Sequence, residues 1–204
     1  MASQDHVQQT RRAISSRPQF SANRTSVKGP TCAKFRSRAA RDLACILDLD
    51  SSVVSWACSS TPLVTEQGEH LPDFRMQDAD EVWWLLDAPD RKLPSSPEIL
   101  SDAAVAQDHR YRLVGGPEIY DGFRLRNAKD LLRYAGHSVS LGDRVRLLSA
   151  LDDHGSLSFA DCLRAFRETQ PVAALASMIL QGFVEVELDE GLIGPETMVR
   201  RIRA

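Results

Sequence analysis

No stretch of this sequence approaches the ~18 consecutive apolar residues of a membrane helix, and its start lacks the apolar segment of a secretory signal. Cysteine is scarce. Cys32, Cys45, Cys58 and Cys162 form no CxxC pair, so neither a zinc site nor a disulfide framework is suggested. These absences lead to the expectation of a cytoplasmic protein with reduced thiols, in which Cys45 and Cys162, at apolar helical positions, serve as core packing. Acid is nearly missing from the opening segment. Residues 1 to 41 hold Arg11, Arg12, Arg17, Arg24, Lys28, Lys34, Arg36, Arg38 and Arg41 against Asp5 alone, although the whole chain carries a formal charge of -3. A basic arm before an acidic body fits phosphate contact, which makes Arg11, Arg12, Arg17, Arg24, Lys28, Lys34, Arg36 and Arg38 candidate DNA-binding residues. The same composition also fits a disordered tail without a partner or an Arg- and Ser-rich transit peptide.

What is present is an ordinary globular composition of 204 residues, 43% hydrophobic and 26% charged, enough for one domain or two small ones. Residues 1–30 are polar, interrupted by Pro18 and Pro30, and read as a disordered basic arm. Residues 31–122 read as an α/β domain. Ala40, Leu43, Ala44 and Leu47 recur at helical spacing after Ser37. Strands are expected at Val53–Ala57, Pro62–Thr65, Leu71–Met76 and Val82–Leu86, the last apolar throughout and so covered on both faces. A helix from Pro97 to Gln107, capped by Ser95 or Ser96, leads to a strand at Tyr111–Val114. Residues 123–204 read as a linker helix and a small, mainly helical unit. Its helices are expected at Leu141–Leu151, after Ser156 or Ser158, and at Pro171–Gln181. An alternating strand at Phe183–Leu188 then turns at Asp189-Glu190-Gly191 and returns near Leu192-Ile193. Three helices and a hairpin make a winged helix.

The chemistry concentrates in Gly68-Glu69-His70-Leu71-Pro72-Asp73-Phe74 and the following Val82 to Pro89. A hairpin closed by Met76 and Val82 sets Asp73 opposite Leu85, with Leu85 and Asp87 on the face of Asp73. Asp73 and Asp87 are then diagonal neighbours roughly 7–8 Å apart. Two carboxylates so placed can share a hard divalent cation such as Mg²⁺; a slip of one residue would put them on opposite faces. Each also has a plainer reading, Asp73 as a turn residue after Pro72 and Asp87 as the end of a strand. Trp83 and Trp84 read as packing residues.

The order of these pieces resembles the TnsA family, the end-cleaving nuclease subunits of some bacterial transposons. The resemblance rests on Phe35-Arg36-Ser37-Arg38-Ala39-Ala40-Arg41-Asp42, on Asp48 to Val53 followed by Thr61-Pro62, on Gly68 to Phe74, and on Tyr111 to Val114 with Arg124 to Tyr134. It implies a restriction-endonuclease-like domain followed by a winged-helix domain. It also implies an acid triad with a lysine, of which Asp73 and Asp87 match, while Ala40 stands for the helix Glu and Pro89 for the Lys. Proline can neither activate water nor offset phosphate charge. Lys92 is the one candidate replacement. The implied function is a DNA-associated scaffold or accessory factor of a mobile element, a degenerate nuclease whose partners are DNA and a transposase or its ATPase regulator. Two alternatives stand beside it: a working Mg²⁺-dependent endonuclease using Asp73, Asp87 and Lys92, and a winged-helix DNA-binding regulator. Within the wing, the apolar helix before Glu185 and Glu187 favours protein docking over DNA reading.

Overall fold

The computed structural model describes residues 20–21 and 26–203, which form a mixed α/β fold with seven α-helices. A two-residue strand β1 (Phe20–Ser21) pairs with β2 (Lys34–Phe35) and leads into helix α1 (Arg38–Leu49). Ser37 starts this helix because its hydroxyl accepts the Ala40 amide at 3.1 Å. Four strands then build one sheet in the order β3 (Val53–Cys58), β6 (Phe74–Asp78), β7 (Trp83–Asp87), β8 (Arg110–Leu113). The first three run antiparallel; β8 joins β7 in parallel through the crossover helix α2 (Pro97–Val105). Between β3 and β6, a small separate hairpin pairs β4 (Leu63–Thr65) with β5 (Gly68–His70). The third expected strand, Leu71–Met76, is thus shifted: His70 ends one strand, and the next begins at Phe74.

The sheet is covered on both faces, as the unbroken apolar run of β7 implies. Ala40, Leu43, Ala44 and Leu47 of α1 pack against Trp56, Phe74, Met76 and Leu86. Leu85 and Tyr111 face the other way, onto Leu100 and Ala104 of α2 and onto Leu63. Trp56 meets Phe74 edge to face at 5.4 Å. The β6–β7 hairpin differs from the expected closure by two residues. Phe74 pairs with Leu86 and Gln77 with Trp83, and the Asp78 amide bonds the Val82 carbonyl at 3.1 Å. The reason lies in Asp78, whose carboxylate accepts the amides of Asp80 and Val82 and so fixes a three-residue turn, with Glu81 at φ 63°. A two-residue shift preserves the faces and brings Asp73 opposite Asp87 rather than diagonal to it.

After a short helix α3 (Gly116–Tyr120), helix α4 (Arg124–Leu131) runs into a 3₁₀ turn at Leu132–Tyr134. The remainder forms α5 (Leu141–His154), β9 (Ser156–Ser158), α6 (Phe159–Leu163), α7 (Pro171–Leu180), β10 (Val184–Val186) and β11 (Met198–Arg201). α5 stops where Gly155 takes φ 76°, a conformation glycine adopts without strain. The three short strands form a sheet in the order β10-β11-β9. The return strand is therefore Met198–Arg201, not Leu192-Ile193. Residues 188–193 instead fold back on α4, where buried Asn127 donates to the Leu188 and Gly191 carbonyls and accepts the Ile193 amide. Asp143, fully buried, plays the same part for residues 167–169: it accepts the amides of Arg167, Glu168 and Thr169, the Thr169 hydroxyl and Arg146.

The two halves share a core. Leu131 and Leu132 pack with Ala176, Leu180 and Leu188, against which Cys45 and Leu49 of α1 also lie. Asp42 of α1, 1% exposed, pairs with Lys129 of α4 at 2.6 Å. The segment just before β2 is packed as well. The Ser26 hydroxyl and Lys28 amide bond Asp48, and Gly29 lies so close to Trp56 that a Cβ there would fall 2.3 Å from the indole. Residues 26–29, expected to belong to the disordered arm, are thus packed against Asp48 and Trp56. Cys162 is fully buried and Cys45 half-buried, and both pack in the cores; among the described residues no two cysteines form a disulfide. Among the described residues, no helix is long and apolar enough to cross a membrane.

Candidate functional site

Asp73 and Asp87 come together at the ends of adjacent strands. The contact is reciprocal: the Asp73 amide donates to Asp87 Oδ1 at 3.0 Å, and the Ala88 amide donates to Asp73 Oδ2 at 3.0 Å. Neither side chain is open to solvent, with 4% and 0% exposure. Buried carboxylates need partners, and both have them. Arg36 grips Asp73 in a two-pronged bond, Nε to Oδ1 at 2.8 Å and Nη2 to Oδ2 at 3.0 Å. The same Nη2 also reaches Asp90 at 2.8 Å, and Ser37 donates to Asp90 at 3.1 Å. Arg91 stands on the other side, 3.5 Å from Asp73 Oδ1 and 3.7 Å from Asp87 Oδ1. Asp87 Oδ2 accepts the Tyr111 hydroxyl at 2.7 Å and lies 2.5 Å from His70 Nε2.

Local sequence explains how these groups arrive. Arg36 lies two residues before α1, and Ser37 fixes the start of that helix against Asp90. Pro89 is the second residue of a turn closed by the Arg91 amide on the Ala88 carbonyl at 3.0 Å. Pro89 thus sits where the chain reverses and brings Arg91 back to the two carboxylates. His70 ends β5, and Tyr111 sits opposite Leu85 in the parallel pair, on the face of Asp87.

The electrostatics are those of closed ion pairs. The bond to Asp73, followed by the one to Asp90, raises the Arg36 pKa further above its already high value. Burial and the neighbouring Asp87 charge push the Tyr111 phenol up, so it stays a proton donor. Burial opposes ionisation of Asp90, but its bonds from Arg36 and Ser37 win and lower its pKa.

A magnesium ion takes a near-octahedral set of oxygens and keeps several waters. The donor set here does not fit that demand. Both oxygens of Asp73 face the Arg36 guanidinium, Asp87 Oδ2 is shared by Tyr111 and His70, and Asp87 Oδ1 holds an amide. Ala40 is 1% exposed and packs in the core, offering no ligand. Lys92 is exposed and partners neither aspartate; the cation beside them comes from Arg91.

The expected DNA contacts divide. Arg11, Arg12, Arg17 and Arg24 lie outside the described residues. Arg36 is engaged at the carboxylates. Lys28 bonds the Asp50 carbonyl, and burial, ahead of the opposing Asp50 and Asp48 charges, lowers its pKa. Lys34 and Arg38 remain exposed, with Arg38 at 79% beside this site. In the C-terminal half, α7 is buried along nearly its whole length, from Ala173 to Met178 and at Leu180. Its covering by the 3₁₀ turn and α4 leaves no polar face for a groove.

Sequence reasoning placed the two aspartates together but missed Arg91, His70 and Tyr111 and gave Arg36 to DNA. The i,i+4 spacing of Asp87 and Arg91 was visible, yet that spacing signals contact only on a helix, and here a turn creates it. Comparison with protein-family models finds no match, and comparison with curated proteins finds none either.

Proposed function

We propose that this chain is a DNA-associated accessory protein of TnsA-like ancestry, a scaffold in transposition or recombination rather than a strand-cutting enzyme. The observation that carries the reading is the fate of the two aspartates. They sit side by side at strand ends, Asp73 just before β6 and Asp87 at the end of β7, with α1 and β3 before them and a crossover helix and a parallel strand after. That order supports the reading of a restriction-endonuclease-like domain, and the three helices α5, α6 and α7 followed by β10 and β11 support that of a winged helix. Yet the positions that would complete hydrolysis hold Ala40 and Pro89, and the carboxylates are closed by arginines.

Nucleic acid as the partner is supported by charge. Lys34, Arg38 and Arg41 are exposed, and the sequence before them adds Arg11, Arg12 and Arg17, charges suited to phosphates. Reading of base edges by α7 is not favoured, because that helix is buried. The wing instead suits a protein partner, in the resemblance a transposase or ATPase regulator. Its exposed strand surface sets Glu185 against Arg200 and offers little to a phosphate backbone.

Incubation of supercoiled plasmid with the protein and Mg²⁺ or Mn²⁺ tests the catalytic half of this reading. The expected result is no nicking. Cutting that is lost in Asp73→Ala would overturn it in favour of the endonuclease. Fluorescence anisotropy with duplex DNA tests the other half: binding is expected, weakening with salt, and a protein that does not bind at low salt sinks the proposal.

A further inference from the structure

We infer that the solvent face of helix α5 is an interface with a second copy of this chain: two α5 helices pair antiparallel about a two-fold axis at Leu148, flanked on each side by an ion pair from Arg144 of one copy to Asp152 of the other. The inference goes beyond the scaffold reading and does not depend on it.

α5 carries two apolar rows where a surface helix ordinarily has one. Leu147 and Leu151 are buried and fill the core of the C-terminal half. On another side of the helix, Leu141 and Val145 stand one turn apart at 72% and 54% exposure, and Leu148, only partly buried, continues the row. Adjacent exposed aliphatic side chains gain from a partner that removes them from water. The charges that flank the row say which partner. The Arg144 guanidinium lies 4.5 Å from the Phe183 ring centroid, its Nε is buried without a hydrogen-bond partner, and among the described residues no carboxylate pairs with it. Asp152 follows about two turns and ~12 Å further along the helix. It is 45% exposed; its Oδ2 accepts a bond from Arg201, and its Oδ1 has no partner among the described residues. With the cation towards one end of the row and the acid towards the other, the face is complementary to its own reverse. Antiparallel pairing about Leu148 brings cation to acid twice, whereas parallel pairing sets like charges side by side. In that register Leu148 meets Leu148, and Val145 fits between the Leu148 and Asp152 turns of the other copy. Leu141 falls over Gly155, where the helix ends with no side chain to obstruct it. Such self-complementarity is what a closed two-fold contact requires, and contact with an unrelated protein does not call for it.

Sedimentation velocity of the full chain, without DNA, tests the pairing. Wild type is expected to pass from monomer to dimer as its concentration rises. Val145→Glu changes an exposed position and leaves the core alone; it is expected to raise the dimer dissociation constant at least about tenfold. Arg144→Glu and Asp152→Arg are each expected to be monomeric alone, because each two-fold contact would then join like charges. Mixed in equal amounts they are expected to form a dimer, because both contacts are again opposite in sign. Circular dichroism checks that each variant is folded. The inference is overturned if wild type stays monomeric, if Val145→Glu associates as tightly as wild type, or if the mixture associates no more than its two components. Should Arg144→Glu not fold once its place over Phe183 is lost, Asp152→Arg and Val145→Glu decide: weakening of the dimer in both supports the inference, and undiminished association in either overturns it. With no DNA present, this outcome and that of the plasmid and anisotropy experiments are separate results.

Discussion

Arg36 shows how much one side chain decides in this protein. It meets both oxygens of a carboxylate that is 4% exposed, so Arg36→Ala leaves a buried charge with only the longer contact to Arg91. A loss of about 3 kcal/mol in urea unfolding is expected. Arg36→Lys keeps the charge but not the planar fork and should cost less than half of that. Asp143 is the comparable residue in the C-terminal half. Asp143→Asn keeps the size but weakens bonds to three amides and a hydroxyl, for an expected loss of about 2 to 3 kcal/mol by the same measurement. Neither role was legible in the sequence. Arg36 sits in a run of basic residues that reads as solvated, and Asp143 lies in a first helical turn where an acid is commonplace. Both partners come from far along the chain, and spacing carries no trace of contacts made by folding. The pairing of Asp73 with Asp87 was legible because one hairpin sets it locally and any even shift preserves the shared face.

At the scale of elements, helix and strand positions followed from apolar period and caps, and the misses fell at turns. The carboxylate of Asp78 closed the β6–β7 turn two residues away from the expected place, and Asn127 captured the segment expected to be the return strand. Asn127→Leu removes the donor for two carbonyls and the acceptor for one amide. Hydrogen exchange at residues 188–193 is expected to accelerate while the β3-β6-β7-β8 sheet stays protected, with a loss of about 2 to 4 kcal/mol. Gly29→Ala forces a methyl to within 2.3 Å of the Trp56 ring, and a loss of about 1 to 3 kcal/mol is expected from the repacking. For the arm, removal of residues 1–19 should lower the slope of log K against log salt by about 2 to 3, as three arginines would predict. The cut stops there because Phe20–Ser21 pairs with β2 and residues 26–29 support Asp48 and Trp56. An unchanged slope counts against the arm as a phosphate contact.

For the molecule as a whole, acid is the expected weak direction. In Asp90 and Asp143, burial disfavours the charged form, but Arg36 and Ser37 in the first case, and Thr169, Arg146 and the 167–168 amides in the second, outweigh it. Arg124 likewise lowers the Asp189 pKa. A carboxyl with a lower pKa folded than unfolded adds stability that is complete above its unfolded value of about 4 and is lost as pH falls below that. Unfolding midpoints should therefore be flat from neutral pH down to about 5 and fall steeply below about 4. In Asp143→Asn, the acid limb should be shallower. The overall α/β class was readable from strand and helix order, whereas the joining of the halves was not, since amphipathic patterns tell which face is buried but not against what. α4 and its 3₁₀ turn supply side chains to the core that α7 fills and, through Lys129, a counter-charge to α1. Heat should accordingly meet one melting unit: a single calorimetric peak whose measured enthalpy equals its van't Hoff value, with no plateau in which one half has melted and the other stands.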